Sequence, residues 1–191
     1  LREAAVVIKA DVGGSAEAFE DRSVPFGFRA RNGAMYGFQV LCWDLNEDGL
    51  MDVYVANDSM ENYFYENKGN GTFTDEALVL GLALGQNGQG VSSMGPAVAD
   101  LDGDGSLDIM IPDMDYGSLL SKKGGFYQDL VGRSGLAVIL GQYTGWGAVL
   151  FDYDNDSHTD LFIANGNAHH EYSEDPVLAR NDGKGRFVDV A

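Results

Sequence analysis

Asp100-Leu101-Asp102-Gly103-Asp104-Gly105-Ser106-Leu107-Asp108 is the stretch whose reading decides the fold. A hard cation such as Ca²⁺ takes about six to eight oxygen ligands, and a short loop supplies them by turning alternate residues inward. Asp100, Asp102 and Asp104 stand at positions one, three and five of such a loop. Ser106 at position seven offers its backbone carbonyl, and Asp108 at position nine closes the cage. Gly105 at position six provides the bend, which costs more for any residue with a Cβ. Four carboxylates this close repel one another unless a cation sits between them.

The pattern occurs three times. Upstream it reads Asp44, Asn46, Asp48, the Leu50 carbonyl and Asp52, with Gly49 at the bend. Downstream it reads Asp152, Asp154, Asp156, the His158 carbonyl and Asp160, with Ser157 in place of the glycine. An acidic turn without an ion is the alternative for any one loop, and the shared register of three argues against it. The expected cofactor is Ca²⁺, up to three ions. An EF-hand is excluded by the residues after each loop: position twelve is Val55, Ile111 or Ile163, each in an apolar, β-branched run where a bidentate Glu and an exiting helix belong. These exits read as strands, so the loops are hairpin tips.

Two markers share one period, and a repeat of this kind fixes the architecture before individual elements are assigned. The loops begin at 44, 100 and 152. Each is followed by a turn, Asn67-Lys68-Gly69-Asn70-Gly71-Thr72-Phe73, a worn Lys123-Gly124-Gly125-Phe126, and Asn181-Asp182-Gly183-Lys184-Gly185-Arg186-Phe187. Aligning Phe73, Phe126 and Phe187 gives repeat units of about 1–72, 73–125 and 126–191. Strands are expected at 36–43, 51–56, 62–66 and 72–76, at 94–99, 107–111, 117–121 and 125–131, and at 144–151, 159–164, 177–180 and 186–190. Each unit is then a four-stranded antiparallel meander, the blade of a β-propeller. The fold class is all-β, with no helix longer than a turn or two. Closed propellers have about four to eight blades, so three blades, together with an alignment of residues 1–5 onto 73–77 and 187–191, predict an excerpt of a larger ring. The long connections 10–33 and 165–176 are the expected partner-binding insertions.

The formal charge of −18 comes largely from these loops: three carboxylates in the first and four in each of the others are proposed ligands, out of 30 Asp and Glu. With 12 Lys and Arg and no basic cluster, nucleic acid and anionic membrane surfaces are excluded as partners. No apolar run approaches the ~18 residues of a membrane span, and no signal-type segment opens the chain. Cys42 is the one cysteine, so no internal disulfide forms. It reads as a small buried hydrophobe in a first strand, and Trp43 and Trp146, also in first strands, read as core.

The D-x-[DN]-x-D-x-x-x-D loop between two strands, preceded by Met94-Gly95 or Trp146-Gly147 and followed by the N-x-G-x-G-x-F marker, resembles the FG-GAP/VCBS repeats found in integrin α-subunit propellers. More narrowly, Val55-Ala56-Asn57-Asp58-Ser59, the run from Gly145 to Asp156, and Leu161-Phe162-Ile163-Ala164-Asn165-Gly166 are similar to the cartilage acidic protein, or ASPIC/UnbV-type, group. The departures are Ser157, Asn46 and the worn marker. The resemblance implies a secreted, periplasmic or cell-surface propeller in which calcium is structural and the blades hold a partner.

Catalytic types are scarce once the loops are accounted for. His158 takes position seven, where the backbone oxygen is the ligand and the side chain is expected to point away. His169, His170 and Glu171 sit together in an insertion and read as solvated loop, and Ser92, Ser93 and Ser118 have no matching His. The expectation is therefore no enzyme, but a calcium-stabilised scaffold that binds a protein or extracellular-matrix partner, as a subunit of a larger complex. The alternatives are the propeller part of an extracellular polysaccharide lyase or dehydratase, and a glycan-binding surface.

Overall fold

A computed structural model describes residues 27–28, 36–141, 143–168 and 172–191. Apolar, largely β-branched and aromatic runs too short for a helix form, among the described residues, twelve strands in three antiparallel sheets with hairpin connectivity. Blade 1 holds β1 Gly37–Trp43, β2 Asp52–Asn57, β3 Tyr63–Asn67 and β4 Phe73–Asp75. Blade 2 holds β5 Ala97–Ala99, β6 Asp108–Ile111, β7 Ser118–Lys123 and β8 Phe126–Asp129. Blade 3 holds β9 Gly145–Phe151, β10 Asp160–Asn165, β11 Val177–Asn181 and β12 Phe187–Asp189. The expected meanders are present, and each acidic loop is the tip joining the first two strands of its sheet. Among the described residues three short helices follow the fourth strands of blades 1 and 2: α1 Ala77–Leu80, α2 Val131–Ser134 and α3 Leu136–Leu140. Among the described residues no helix is long and apolar enough to cross a membrane.

Side chains alternate across each strand, so every blade has two apolar faces and neighbouring blades bury one from each. Leu41, Tyr54, Ala56 and Phe64 of blade 1 pack against Val98, Ile109, Ile111, Leu120 and Tyr127 of blade 2. On the other side of blade 2, Ala99, Met110 and Leu119 meet Ala148, Leu150, Leu161, Ile163, Val177 and Phe187 of blade 3. First strands lie side by side at the inner edge, where Gly95 and Gly147 form a parallel bridge. A Cβ on Gly95 would come within 2.8 Å of the Trp146 carbonyl. Pro96 lacks an N–H, and β5 therefore starts at Ala97, short of the expected 94–99.

One packing face is left uncovered among the described residues, whereas the far face of blade 1 buries Val55, Tyr63 and Tyr65 with Phe28 and Phe73. Val149 and Phe151 occupy the same places before their loop as Leu41 and Trp43, on the face that blade 1 turns toward blade 2. In blade 3 that face is exposed, with Val149 55% and Phe151 43% accessible on the first strand and Val188 and Val190 exposed at the opposite edge of the sheet. Among the described residues the three sheets do not close into a ring.

A further periodic signal becomes visible in the fold. Gly27, Gly81 and Gly135, spaced 54 residues apart, all have positive φ, and a Cβ on each would run into the backbone oxygen of Phe73, Tyr127 or Phe187 within 2.1, 2.4 and 3.0 Å. This also corrects the alignment of the worn marker. Tyr127, not Phe126, is the counterpart of Phe73 and Phe187: it is buried, whereas Phe126 is 55% exposed. The middle turn is one residue shorter, a two-residue Gly124-Gly125 connection with both φ positive, which suits the twist of a tight hairpin.

Three expectations are overturned at the inner edge. Cys42 is exposed, and Trp43 and Trp146 are 47% and 39% accessible. A first strand has a sheet neighbour on one side only, so its burial depends on adjoining blades and not on its own apolar pattern. Residues 1–26 and 29–35, and with them the aligned start and most of the 10–33 connection, lie outside the described residues, as do His169, His170 and Glu171.

Candidate metal centres at the hairpin tips

Each loop is folded by its own carboxylates in the same way. The position-one Asp accepts the N–H of position six: Gly49 to Asp44 Oδ2 at 2.8 Å, Gly105 to Asp100 Oδ2 at 2.9 Å, Ser157 to Asp152 Oδ2 at 2.9 Å. The position-five Asp accepts the N–H of position seven: Leu50 to Asp48 at 2.8 Å, Ser106 to Asp104 at 2.9 Å, His158 to Asp156 at 2.9 Å. Position six is left-handed in all three, with φ +87° at Gly49 and Gly105 and +73° at Ser157. Position four is left-handed as well, at Glu47, Gly103 and Asn155. The sequence pattern did not reveal that requirement, although Gly103 and Asn155 are residue types that tolerate it.

Position nine works differently. Asp52 and Asp160 are fully buried, and each accepts two backbone N–H groups. Leu45 and Asn67 donate to Asp52 at 3.2 and 2.9 Å, and Tyr153 and Asn181 donate to Asp160 at 3.1 and 2.8 Å. This carboxylate thus ties the loop entrance to the end of the third strand. In blade 2 the tie is half made. Leu101 donates to Asp108 Oδ2 at 2.9 Å, while Oδ1, buried near Ser121, accepts no hydrogen bond. Burial pushes the Asp108 carboxyl above the ordinary carboxylate range, against the pull of Ser121 and the Leu101 N–H. Burial likewise raises Asp52.

The donor set fits a hard cation in two of the loops. Two ligands at ~2.4 Å from one ion lie no more than about 4.8 Å apart. One oxygen each from Asp100, Asp102 and Asp108 meets that condition, as does one each from Asp152, Asp154 and Asp156. All six are carboxylates, the ligands Ca²⁺ prefers, and Asp108 Oδ1 is a buried oxygen in need of a partner. Among the described residues Asp44, Asp48 and Asp52 form no such trio. There the Asn46 amide donates to Asp48 Oδ2 at 3.0 Å, closing the loop with a neutral group. The His158 side chain does not turn away: its Nδ1 lies 3.1 Å from Asp156 Oδ1, over Gly183. The His158 N–H is the main influence holding the Asp156 carboxyl below its usual range.

Lysines enter where the third blade has other groups. Lys123 Nζ donates to Asp102 Oδ2 at 2.7 Å and also to Asp104 Oδ2. These two carboxylates, Asp102 first, hold the ammonium above the ordinary lysine range. Reciprocally, Lys123 is the main influence lowering Asp104. Lys122 reaches back to blade 1, 3.2 Å from Glu47 and 3.5 Å from the Leu45 carbonyl.

The tips are also built into the seams between blades. Position-two residues Leu45 and Leu101 are 1% and 3% exposed and belong to the inter-blade cores. Their carbonyls accept from the following blade: Tyr127 Oη to Leu45 at 3.2 Å, Asn181 Nδ2 to Leu101 at 2.7 Å.

Residues 44–111 match the FG-GAP-like repeat family model, a span that contains the first two loops and the strands between them. The chain therefore carries an FG-GAP, propeller-type repeat. No curated protein matches it. Among solved structures it is similar to a lectin of Agrocybe aegerita described for specific recognition of non-reducing terminal N-acetylglucosamine, at 21% identity and a TM-score of 0.42. That match covers 78% of this chain and 36% of the lectin, so the chain spans little more than a third of the lectin's length.

Proposed function

We propose that this chain, which carries an FG-GAP-type repeat, is part of a calcium-stabilised β-propeller of the cartilage acidic protein, or ASPIC/UnbV-type, group. It is a non-catalytic module, secreted, periplasmic or at the cell surface, that holds a protein or extracellular-matrix partner within a larger assembly. One observation carries this reading: the three acidic tips share the same carboxylate-folded turn, and the first two bond to the following blade through the Leu45 and Leu101 carbonyls, so an ion at such a tip would steady how the blades stack. The blades then offer a rigid platform whose connecting loops are free to recognise a partner. Millimolar calcium outside the cytosol matches the affinity range of about 10⁻⁴ to 10⁻³ M common in extracellular modules.

The lyase or dehydratase alternative asks for an acid and a base facing a cleft. Three surface hollows, of about 340, 470 and 500 Å³, are lined by no histidine, arginine or lysine among the described residues, and the 470 Å³ one gathers Asp113, Asp115, Tyr116 and Asp129. A glycan reading has a specific observation in its favour: Trp146 and the exposed Tyr172 border the 500 Å³ hollow together with Asn165, Asn167 and Glu174. Aromatic faces beside amides and a carboxylate suit a sugar ring.

The test is retention of the chain on immobilised fibronectin, collagen and laminin in millimolar calcium and in chelator. Calcium-dependent retention is expected, and no retention on any surface counts against the matrix role. Tryptophan fluorescence titrated with neutral oligosaccharides, in wild type and Trp146→Ala, decides the glycan reading.

A further inference from the structure

The three turns that follow the third strands are not equivalent. Register places Lys68, Lys123 and Asp182 at the same point, one residue beyond Asn67, Lys122 and Asn181. Lys68 pairs with Glu66 at 2.9 Å, away from its loop, and Asp182 accepts the Lys184 and Arg186 N–H groups of its own turn. Lys123, carried by the shortened Gly124-Gly125 hairpin, is the one of the three that reaches the loop carboxylates. There it bonds the position-three and position-five ligands together. Beside them lies Asp108, 2% exposed, with an oxygen that accepts nothing. Ser106 at position seven is small where the other loops have Leu50 and His158, which leave room only for glycines 69 and 183 above them.

We infer that Lys123 is a tethered counter-ion of the middle loop, neutralising Asp102 and Asp104 when no divalent ion is bound and leaving them when one binds. The inference rests on the calcium reading proposed for the tips. An ammonium within hydrogen-bond reach of two ligands repels a cation arriving on those ligands, and their oxygens cannot satisfy both at full strength. The three loops therefore differ: the third, which has no such lysine, fills at lower calcium than the middle one. The middle loop keeps its shape without calcium, because the lysine holds its carboxylates together.

The experiment is calcium titration by calorimetry, with thermal melting in chelator and in millimolar calcium, on wild type, Lys123→Met and Lys123→Gln. Asp102→Asn identifies which binding step belongs to the middle loop. Removing the ammonium is expected to tighten that step by about tenfold. It should lower the melting point in chelator and leave it equal or higher in calcium. That reversal of sign distinguishes a counter-ion from a merely structural lysine, whose loss lowers stability in both media. Unchanged affinity in both variants while wild type binds calcium overturns the inference alone. A wild type that binds no calcium overturns the calcium reading, and the inference with it.

Discussion

The carboxamide of Asn181 and the backbone of Leu101 join two blades across a single hydrogen bond: Asn181 Nδ2 donates to the Leu101 carbonyl at 2.7 Å. The same side chain donates to Thr159 at 3.0 Å and accepts the Gly183 and Gly185 N–H groups, while its own N–H goes to Asp160. Asn181 is 1% exposed and its bond to Leu101 is buried, so that carbonyl is cut off from water if the amide is removed. Asn181→Ala is expected to cost about 2–3 kcal/mol. Asn67 makes the equivalent local bonds at the exposed surface, with no bond to another blade among the described residues, and Asn67→Ala is expected to cost about 1 kcal/mol or less. Urea unfolding of the two variants in calcium measures the difference, and equal losses would remove the seam's special role.

Ser157 sits in a left-handed conformation that glycine occupies in the other two loops. Such a conformation costs a residue with a side chain about 1–2 kcal/mol. Ser157→Gly is therefore expected to raise stability by about 1 kcal/mol. Gly105→Ala is expected to lower it by a similar amount even though no atom lies within 4 Å of the added Cβ. Chemical denaturation of both variants checks the pair. A stabilising Gly105→Ala would show that the backbone relaxes freely there.

Asp104 and Asp160 test separate roles within the loops. Asp104 is a half-exposed proposed ligand, and Asp160 is a buried clamp on two backbone N–H groups. Asp104→Ala is expected to lower the melting point in calcium, in contrast to Ser157→Gly, which raises it. Asp160→Ala leaves buried donors unpaired and is expected to cost about 2–4 kcal/mol in calcium and in chelator alike. Melting scans in the two media separate ligand from clamp.

Burial raises the Asp52 and Asp108 carboxyls in the folded chain. A group raised on folding binds its proton more readily in the folded state, so its contribution is fully present below the unfolded value near 3.8 and is lost as pH rises through the folded value. In chelator these two carboxyls are expected to contribute more stability as pH falls toward 3.8. In calcium the sign reverses, because protons compete with the ion for the carboxylates. Melting points at several pH values in both media test the crossing.

The fold was legible because its two signals are local. Short apolar, β-branched runs such as Val53-Tyr54-Val55 and Leu161-Phe162-Ile163 mark strands, and the nine-residue loops fix which strands share a hairpin. Features that depend on neighbouring elements were hidden. Trp43, Trp146 and Cys42 read as core by pattern, yet the first strand of a blade is covered only as far as adjacent blades cover it. Phe126 aligns with Phe73 by sequence because the shortening of the middle turn is invisible until strand register is known. Lys123 showed no signal at all, since its role comes from a hairpin folding back over a loop about twenty residues earlier. The spacing of Gly27, Gly81 and Gly135 was present in the chain throughout, and only the backbone approach to Phe73, Tyr127 and Phe187 gives it meaning.

The central claim is that divalent ions at the hairpin tips hold the blades together. Its most direct test is the melting point of the wild-type chain in excess chelator and in millimolar calcium. With two loops occupied at about tenfold above their dissociation constants, the midpoint is predicted to rise by about 5–10 °C. Identical midpoints in the two media would contradict the account.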